Sequence, residues 1–206
     1  MDGSTLRARL AAARLYLILD GDDVDVLEPA LRGGVDVVQL RDKTRSDEEI
    51  VSAAAPFREA CERHDALFVL NDRPDLVEAC GADGVHVGQE DEPLAQAREL
   101  AGTERVVGLS ATTVEELEAA EPDYWGVGAI FGTPTKPESQ PGGLELVRAA
   151  AARLTVPWFA IGGIELDNAA EVVAAGAPGL AVVRAIRDAA DPEQAARELR
   201  HPLGDR

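Results

Sequence analysis

Two aspartates, Asp72 and Asp91, each follow a short apolar segment typical of a buried strand. If the two strands are neighbours in a parallel sheet, the two carboxylates could hold one hard cation. Mg²⁺ bridged to substrate phosphates is the cation that this donor set suits best. The alternative is that both aspartates are helix caps, because Asp91 stands just before a predicted helix and Asp72 stands two residues before Pro74.

The lysines of this chain stand in a similar position. The chain has only two lysines, Lys43 and Lys136, and each stands just beyond an apolar segment. Arg41 lies beside the first of them, and Thr133 and Thr135 lie beside the second. Three cations and two hydroxyls are groups that bind phosphate oxygens, so a diphosphate is a candidate ligand. The alternative for residues 132–136 is a surface turn, since their glycine and proline are ordinary loop residues.

Two glycine-containing or basic segments follow the last two predicted strands. They are Ile161-Gly162-Gly163-Ile164 and Val183-Arg184-Ala185-Ile186. At these positions (β/α)8 barrels often bind a phosphate group through backbone N–H groups. Gly163 would let the backbone approach such a ligand closely, and the alternative for it is a tight turn.

These groups require a scaffold that alternates strands and helices. Eight predicted strands alternate strictly with eight predicted helices. The strands are Leu15–Asp20, Val35–Leu40, Ala66–Leu70, Val85–Val87, Val106–Leu109, Tyr124–Phe131, Trp158–Ile161 and Leu180–Val183. The helices are Asp22–Arg32, Asp47–His64, Asp75–Cys80, Glu92–Leu100, Thr113–Ala120, Leu144–Leu154, Asp167–Ala175 and Pro192–Leu199. Ser46 and Glu49 predict a capping box for the second helix, and Thr112 is the expected cap of the fifth.

An internal repeat supports this alternation. Segments that end a helix with glycine and begin a strand start at Gly33, Gly81 and Gly176, which fits units of roughly 24 residues. Eight such units predict a single (β/α)8 TIM-barrel domain over residues 1–206, with residues 1–13 as an N-terminal extension and 201–206 as a C-terminal tail. An open doubly wound sheet is the competing fold, but no G-x-G-x-x-G motif follows the first strand.

Composition excludes several classes of function. The formal net charge of −18 argues against nucleic acids and anionic membranes as partners. No apolar run reaches about 18 residues and Asp2 follows Met1, so we expect a cytoplasmic protein without a membrane span or secretory signal. Many acidic residues with few lysines also suggest a halophile-like protein adapted to high salt. Unfolding measured against KCl concentration tests that hypothesis, and equal stability at low and molar salt would contradict it.

Cysteine and histidine give no motif. Cys61 and Cys80 lack C-x-x-C spacing and are expected to be reduced, half-buried thiols. His64, His86 and His201 form no i, i+4 pair, so a zinc site is not expected.

In a barrel, residues far apart in the sequence meet at the C-terminal ends of the strands. The motifs there resemble those of the thiamine-phosphate synthase family over nearly the whole chain. They are Q-L-R-D-K at 39–43, N-D-R at 71–73, G-A-D-G-V-H-V-G-Q-E-D at 81–91, G-L-S at 108–110, G-T-P-T-K at 132–136, A-I-G-G-I at 160–164 and V-V-R-A-I at 182–186.

The resemblance implies a transferase that joins hydroxymethylpyrimidine diphosphate to thiazole phosphate, giving thiamine phosphate and diphosphate. It implies Asp72 and Asp91 as Mg²⁺ ligands, and Lys43, Ser110 and Lys136 as catalytic residues. It also implies two sets of binding residues. The pyrimidine diphosphate set is Gln39, Arg41, Lys43, Asn71, Ser110 and Lys136, and the thiazole phosphate set is Thr133, Thr135, Gly163, Val183 and Arg184.

The family chemistry implied is dissociative, with the bond to diphosphate breaking before the thiazole nitrogen attacks. The family usually has a histidine two residues after the serine, where this chain has Thr112. Two alternatives stay open: a thiazole tautomerase-like paralogue, which resembles the synthase in fold, and a non-catalytic barrel that binds phosphate esters. The expected partners are the two small-molecule substrates, and a homo-oligomer is one possible assembly.

Overall fold

The computed structural model describes residues 2–132 and 140–204, and within these residues eight parallel strands close a barrel in sequence order. This confirms the (β/α)8 fold and excludes the open doubly wound sheet. The strands are β1 Leu15–Leu19, β2 Val37–Leu40, β3 Leu67–Asn71, β4 Gly84–Val87, β5 Val106–Ala111, β6 Tyr124–Val127, β7 Trp158–Ile161 and β8 Leu180–Val182.

Helices cover the outside of the barrel and lie within a few residues of their predicted positions. They are α1 Gly3–Ala12, α2 Val24–Arg32, α3 Asp47–Arg63, α4 Val77–Cys80, α5 Leu94–Ala101, α6 Val114–Glu118, α7 Gly143–Arg153, α8 Ala169–Ala174, α9 Arg184–Arg187 and α10 Pro192–Arg200. Short 3₁₀ turns precede α4, at Pro74–Leu76, and follow α10, at His201–Leu203. Neither α1, which lies in the predicted N-terminal extension, nor the short helix α9 was among the eight predicted helices.

The strands are mostly apolar because both of their faces are buried, and their few polar residues point into the barrel. In β1, Leu15, Leu17 and Leu19 pack outward against the helices, whereas Tyr16 and Ile18 point into the barrel. This period of two sorts each strand into an outer core and an inner core. Leu6 and Leu10 of α1 belong to the inner core, together with side chains from the first residues of several strands. Helix α1 therefore closes the N-terminal end of the barrel.

Two helix starts test the capping predictions. The predicted capping box of Ser46 and Glu49 is present at the start of α3. The predicted cap Thr112 is wrong by one residue, since Thr113 caps α6 and forms a capping box with Glu116. Thr113 has the extended backbone that a cap requires.

The sixth strand is shorter than predicted. It ends at Val127, and the chain then crosses the C-terminal edge of the sheet. There Ile130 donates to the Ile161 carbonyl at 2.9 Å, and Phe131 donates to the Gly162 carbonyl at 2.9 Å. The apolar run continues to Phe131 because Ile130 is fully buried in the outer core. Burial in a loop therefore has the same sequence pattern as burial in a strand.

Three aspartates recur at the N-terminal ends of the even-numbered strands. Asp36, Asp83 and Asp123 precede β2, β4 and β6. Their side chains accept from the backbone N–H groups of Leu15, Phe68 and Val107, respectively, at 3.0, 2.9 and 2.8 Å. The backbone N–H of each aspartate in turn donates to the carbonyl of the residue whose N–H its side chain accepts from, namely Leu15, Phe68 or Val107. The three aspartates therefore fix the register of neighbouring strands at this end.

Two of these aspartates are also paired with arginine. Arg200 of α10 donates to Asp36 at 2.6 Å, and the Asp36 side chain is only 5% exposed. Arg7 of α1 and Arg98 of α5 donate to Asp123 at 2.7 and 2.9 Å. The outer helices are thus joined to the barrel by ion pairs at its N-terminal end.

Both cysteines are more buried than predicted: Cys61 is 2% exposed and Cys80 is 4% exposed, and both are free thiols. In the part of the chain that the structure describes, no helix is long and apolar enough to cross a membrane.

Candidate active site

A cavity of about 150 Å³ opens at the C-terminal end of the barrel. It brings together residues from all eight βα units, and the outermost of them, Tyr16 and Arg184, are 168 positions apart in sequence. Among the residues predicted to bind substrate, the cavity is lined by Gln39, Arg41, Asn71, Ser110, Gly163, Val183 and Arg184. The predicted residues Thr133, Thr135 and Lys136 lie outside the described residues.

The two predicted metal ligands meet next to the lining residue Asn71, and neither they nor Lys43 line the cavity themselves. The carboxyl groups of Asp72 and Asp91 lie within hydrogen-bonding reach of each other. Lys43 contacts Asp72 with a distance of 2.9 Å between Nζ and Oδ2. Burial raises the pKa of Asp72, the ammonium of Lys43 opposes that rise, and the neighbouring Asp91 adds to it. Two facing carboxylates provide the hard oxygen donors that a divalent cation prefers.

Backbone geometry places Asp72 in this position. Its φ of 59° lies in the left-handed region, which is uncommon for a residue with a side chain. Its N–H donates to the carbonyl of His86 at 2.8 Å, so the turn after β3 is held against β4. Strained backbone of this kind concentrates at functional sites.

Neither aspartate acts as a helix cap. Helix α5 begins after Pro93, without a side-chain cap. The Asp91 carboxylate instead accepts from the N–H of Gly88 at 2.9 Å. The 3₁₀ turn after Asp72 begins after Arg73 and also lacks a side-chain cap. The helix-cap alternative therefore does not account for the pair.

The donor set of this pair fits magnesium. Among residues 2–132 and 140–204, no three His, Cys, Asp or Glu side chains are grouped to hold a metal ion. Mg²⁺ commonly uses one or two carboxylates and completes its coordination with water and substrate phosphates. Asp72 and Asp91 are such a pair, and they face each other beside a cavity large enough for part of a small ligand.

Asn71 gives independent support for a ligand in the cavity. Its side chain is buried, with 8% of its surface exposed, and its Nδ2 has no hydrogen-bond partner among the described residues. A buried donor without a partner costs about 1–3 kcal/mol. Native structures retain such groups mainly where a ligand, ion or water satisfies them. The Asn71 amide therefore points to an acceptor on a bound ligand.

Gly163 lies on the opposite side of the cavity, in the turn after β7. Its φ is 64°, and a Cβ at this position would approach the Cβ of Phe131 to 2.7 Å. Glycine is thus required both by the turn and by close backbone packing. The tight-turn alternative for Gly163 is therefore correct, and it is compatible with ligand binding. Because Gly163 also lines the cavity, its backbone is accessible to a ligand.

The turn after β8 lies beside it. Val183 ends the strand region and begins the short helix α9, an extra helix in the place where many barrels bind phosphate. The guanidinium of Arg184 contacts Glu165 at 3.2 Å, and both residues line the cavity.

Thr112 stands where the family usually has a histidine, and its hydrogen-bonding groups are used within the protein. The Thr112 hydroxyl donates to Glu116 at 3.0 Å, and the Thr112 N–H donates to the same carboxylate at 2.6 Å. Thr112 lines the cavity, but its hydroxyl hydrogen is committed to α6.

Sequence reasoning missed the polar groups in the floor of the cavity. Tyr16, His86 and Tyr124 point into the barrel and line the cavity. They connect Gln39 to Ser110 through hydrogen bonds: Gln39 to Tyr16 at 2.8 Å, Tyr16 to Tyr124 at 3.0 Å, Tyr124 to His86 at 3.2 Å and His86 to Ser110 at 2.9 Å. A usable signal was present, because His86 alternates with Val85 and Val87 in β4 and so had to face the barrel interior.

The fold and the site define a (β/α)8-barrel enzyme with its ligand site at the C-terminal end of the strands. The sequence profile described as thiamine monophosphate synthase matches residues 15–186. The chain belongs to this family, and it is an enzyme of the transferase class that acts on small molecules.

Relatives and a solved structure agree with this assignment. The chain is 47% identical to the thiamine-phosphate synthase of Thermobifida fusca, covering 97% of this chain and 96% of that protein. It is 45% identical to the thiamine-phosphate synthase of Synechocystis, covering 96% of this chain but only 59% of that longer protein. The structure of thiamine phosphate pyrophosphorylase from Pyrococcus furiosus superposes with a TM-score of 0.86 at 35% identity, covering 94% of this chain and 96% of that one.

Proposed function

We propose that the protein is a thiamine-phosphate synthase that joins hydroxymethylpyrimidine diphosphate to thiazole phosphate and releases diphosphate. The observation that carries the proposal is the group at the edge of the cavity. Asp72 and Asp91 face each other, Lys43 lies 2.9 Å from Asp72, and the buried Asn71 amide next to them lacks a partner among the described residues. A diphosphate with a divalent cation matches the charges and the unpaired donor of this group.

The residues of this chain would divide the work on the diphosphate. Asp72 and Asp91 would hold Mg²⁺, which when bound supplies positive charge against the diphosphate oxygens. Lys43 is half exposed and Arg41 lines the cavity, so both can reach oxygens that the carboxylates do not face. Asn71 would donate its free N–H to the same ligand, and Lys136 would add a further cation from the loop after β6.

Charge stabilisation is the main demand of a dissociative substitution. When the bond between the pyrimidine methylene carbon and the diphosphate oxygen breaks, the electron pair leaves with the oxygen. The cations stabilise that growing negative charge, so no protein nucleophile or strong base is needed. The remaining pyrimidine-methyl cation is then captured by the lone pair of the thiazole nitrogen.

The floor of the cavity would protect this cation from water. Tyr16, Tyr124 and Phe159 are buried and pack edge to face, with Phe159 5.2 and 6.0 Å from the two tyrosine ring centroids. Their rings present apolar and electron-rich surface, which excludes water and favours positive charge.

The thiazole phosphate would bind on the opposite side of the cavity. Gly163 offers backbone that can be approached closely, and Val183 and Arg184 form the turn that starts α9. Thr133 and Thr135, which lie outside the described residues, would contribute hydroxyls. With its phosphate held there, we expect the thiazole nitrogen to face the pyrimidine site across the cavity.

The two alternative functions gain less from the site. A tautomerase would need an acid/base group at position 112, where the threonine hydroxyl is bound to Glu116. A non-catalytic phosphate-ester binder would use Gly163 and Val183 but would have no need for facing aspartates beside Lys43.

Incubation with both phosphorylated precursors and Mg²⁺ tests the proposal directly. We expect thiamine phosphate and diphosphate to form in equal amounts, and omission of either precursor is the control. If neither product forms with both precursors and Mg²⁺ present, the synthase proposal is wrong.

A further inference from the structure

The hydrogen-bond chain in the cavity floor crosses five strands, from Gln39 in β2 to Ser110 in β5. Its two middle members are buried tyrosines: Tyr16 is 2% exposed and Tyr124 is fully buried. Burial raises the pKa of both phenols well above the ordinary value. Each tyrosine therefore keeps its hydroxyl hydrogen and must place it on an acceptor.

The amide of Gln39 sets the direction of this chain. Gln39 Nε2 donates to the Tyr16 oxygen at 2.8 Å. The hydrogen of Tyr16 then goes to the Tyr124 oxygen, 3.0 Å away, which is the remaining neighbour within reach in the described structure. If the tyrosines donated in the opposite direction, the buried Tyr16 hydrogen would have no acceptor, at a cost comparable to a lost hydrogen bond.

The same reasoning fixes the proton on His86. The Tyr124 hydrogen points to His86 Nδ1 at 3.2 Å, so this nitrogen is the acceptor. In a neutral imidazole with Nδ1 as acceptor, the hydrogen is on Nε2. Nε2 lies 2.9 Å from Ser110 Oγ and donates to it. The Ser110 hydroxyl hydrogen is then left for the cavity that Ser110 lines.

Packing favours this geometry over a loose arrangement of the same groups. A Cβ on Gly108 would overlap the Tyr124 ring, and a Cβ on Gly126 would lie 3.2 Å from the His86 ring. The His86 and Tyr124 rings also pack against each other in a tilted arrangement, with centroids 5.4 Å apart. Glycines on β5 and β6 thus make room for the two rings and hold them beside each other.

We propose that Tyr16, Tyr124 and His86 are positioning residues that make Ser110 a hydrogen-bond donor to the substrate. This hydrogen-bond chain favours a ligand that places an acceptor lone pair opposite the Ser110 hydroxyl. For the proposed substrates this acceptor is either a pyrimidine ring nitrogen or a diphosphate oxygen. This inference rests on the proposed function for its kinetic consequence, but the proton position on His86 can be measured in the protein alone.

The first test is ¹⁵N NMR of the histidine rings in the full-length protein. The chain has three histidines, so His64→Gln and His201→Gln variants assign the His86 signals. We expect His86 in the neutral form with hydrogen on Nε2 and none on Nδ1. In Tyr124→Phe the Nδ1 hydrogen bond is lost and both tautomers should be populated. A wild-type His86 with hydrogen on Nδ1 would overturn the inference.

The second test is a double-mutant cycle between Tyr124→Phe and Ser110→Ala. Tyr124→Phe should lower kcat about tenfold with little change in KM for thiazole phosphate, since one hydrogen bond in the chain is removed. In a Ser110→Ala background the same change should have no further effect on kcat. Equal effects in both backgrounds would show that the tyrosine acts structurally and would overturn the inference. Tyr16→Phe, one bond further from Ser110, serves where Tyr124→Phe fails to fold, and His64→Gln is the control with wild-type kinetics.

Binding measurements distinguish the two acceptors. Hydroxymethylpyrimidine without phosphate probes the ring nitrogen, and inorganic diphosphate with Mg²⁺ probes the diphosphate oxygens. Ser110→Ala should weaken one of these two ligands about tenfold. If it weakens neither, Ser110 is not a donor to the substrate. A protein that makes no thiamine phosphate but shows the expected His86 tautomer would separate failure of the proposed function from failure of this inference.

Discussion

The aspartates at the two ends of the barrel have opposite surroundings. At the N-terminal end, Asp36 is surrounded by donors: two backbone N–H groups and the guanidinium of Arg200. At the C-terminal end, Asp72 faces another carboxylate, Asp91, and has a single lysine beside it. The first environment stabilises the folded chain, whereas the second sets two like charges against each other.

This difference separates stability from function within one fold. The N-terminal aspartates recur before β2, β4 and β6 with the same contact to the preceding strand, which is a structural repeat. The C-terminal residues do not repeat in this way: Gln39, Asn71, His86 and Ser110 come from four successive strands and are four different residue types. The same aspartate contact can fix strand register at three places in the barrel. Binding one asymmetric ligand instead requires different groups from different strands.

The largest expected effect is on turnover, from Asp91→Asn. Loss of one carboxylate from the pair should lower kcat/KM on the order of 10²–10³-fold, because a bound metal stabilises charge by several kcal/mol. The melting temperature should stay the same or rise, since repulsion between the two carboxylates is relieved. Steady-state kinetics at varied Mg²⁺ and thermal unfolding measure the two quantities.

The matched control is Glu90→Gln, which removes the exposed carboxylate next to Asp91 in sequence. It should leave turnover near that of the wild type. Near-normal activity of Asp91→Asn would remove Asp91 from the metal site and weaken the contrast between the two ends of the barrel.

A smaller effect, on stability alone, is expected from Asp36→Asn. The change removes the charge that faces Arg200 in a buried pair, and we expect a loss of about 3 kcal/mol in the free energy of unfolding. Activity per folded molecule should not change, because Asp36 lies at the end of the barrel away from the cavity. Urea unfolding with activity measured below the transition tests both statements.

The control for this change is Glu145→Gln. Glu145 forms an ion pair with Arg148 on the surface, where its side chain is 87% exposed, and such pairs contribute little. We expect no measurable change in its unfolding curve. A comparable loss in both variants would mean that burial does not distinguish Asp36.

The smallest effect concerns the pH dependence of stability through Asp83. Burial raises the pKa of this carboxyl above its ordinary value of 3.8, so the folded state binds its proton more tightly than the unfolded state. The stabilising contribution of Asp83 is therefore greatest at low pH, and it is lost as pH rises through the raised pKa.

Asp83→Asn removes this titration and keeps an oxygen for the Phe68 N–H. Thermal unfolding of both proteins from pH 4 to 7 should show the wild type losing stability relative to the variant as pH rises. A difference that is constant with pH would show that Asp83 has the same pKa in both states.

Much of the fold could be predicted because its signals are local. The apolar strands, the capping box of Ser46 and Glu49 and the spacing of the glycine-ended units all lie within short segments. Predictions were less accurate where two different local structures have the same sequence pattern. Thr112 and Thr113 are both good caps, and an apolar run such as 124–131 does not show where a strand becomes a buried loop.

The candidate site could be predicted in part for the same reason. Asp72 and Asp91 were recognisable because both end a strand, but the hydrogen-bond chain through Tyr16, Tyr124 and His86 was not. Tyr16 and Tyr124 are 108 positions apart and each looks like an ordinary core aromatic. Helix α9 has four residues, too few for a periodic pattern to show.

The sequence by itself determined the alternation of strands and helices, the acidic balance and the placement of polar residues at strand ends, because periodicity and residue type act over a few neighbours. Only the closed barrel decided that Asp72 meets Asp91, that the Asn71 amide is left without a described partner, and that the His86 ring lies within hydrogen-bonding distance of Ser110. The physical reason is that burial and hydrogen-bond direction depend on which strands become neighbours, and closure of the sheet sets those neighbours all at once.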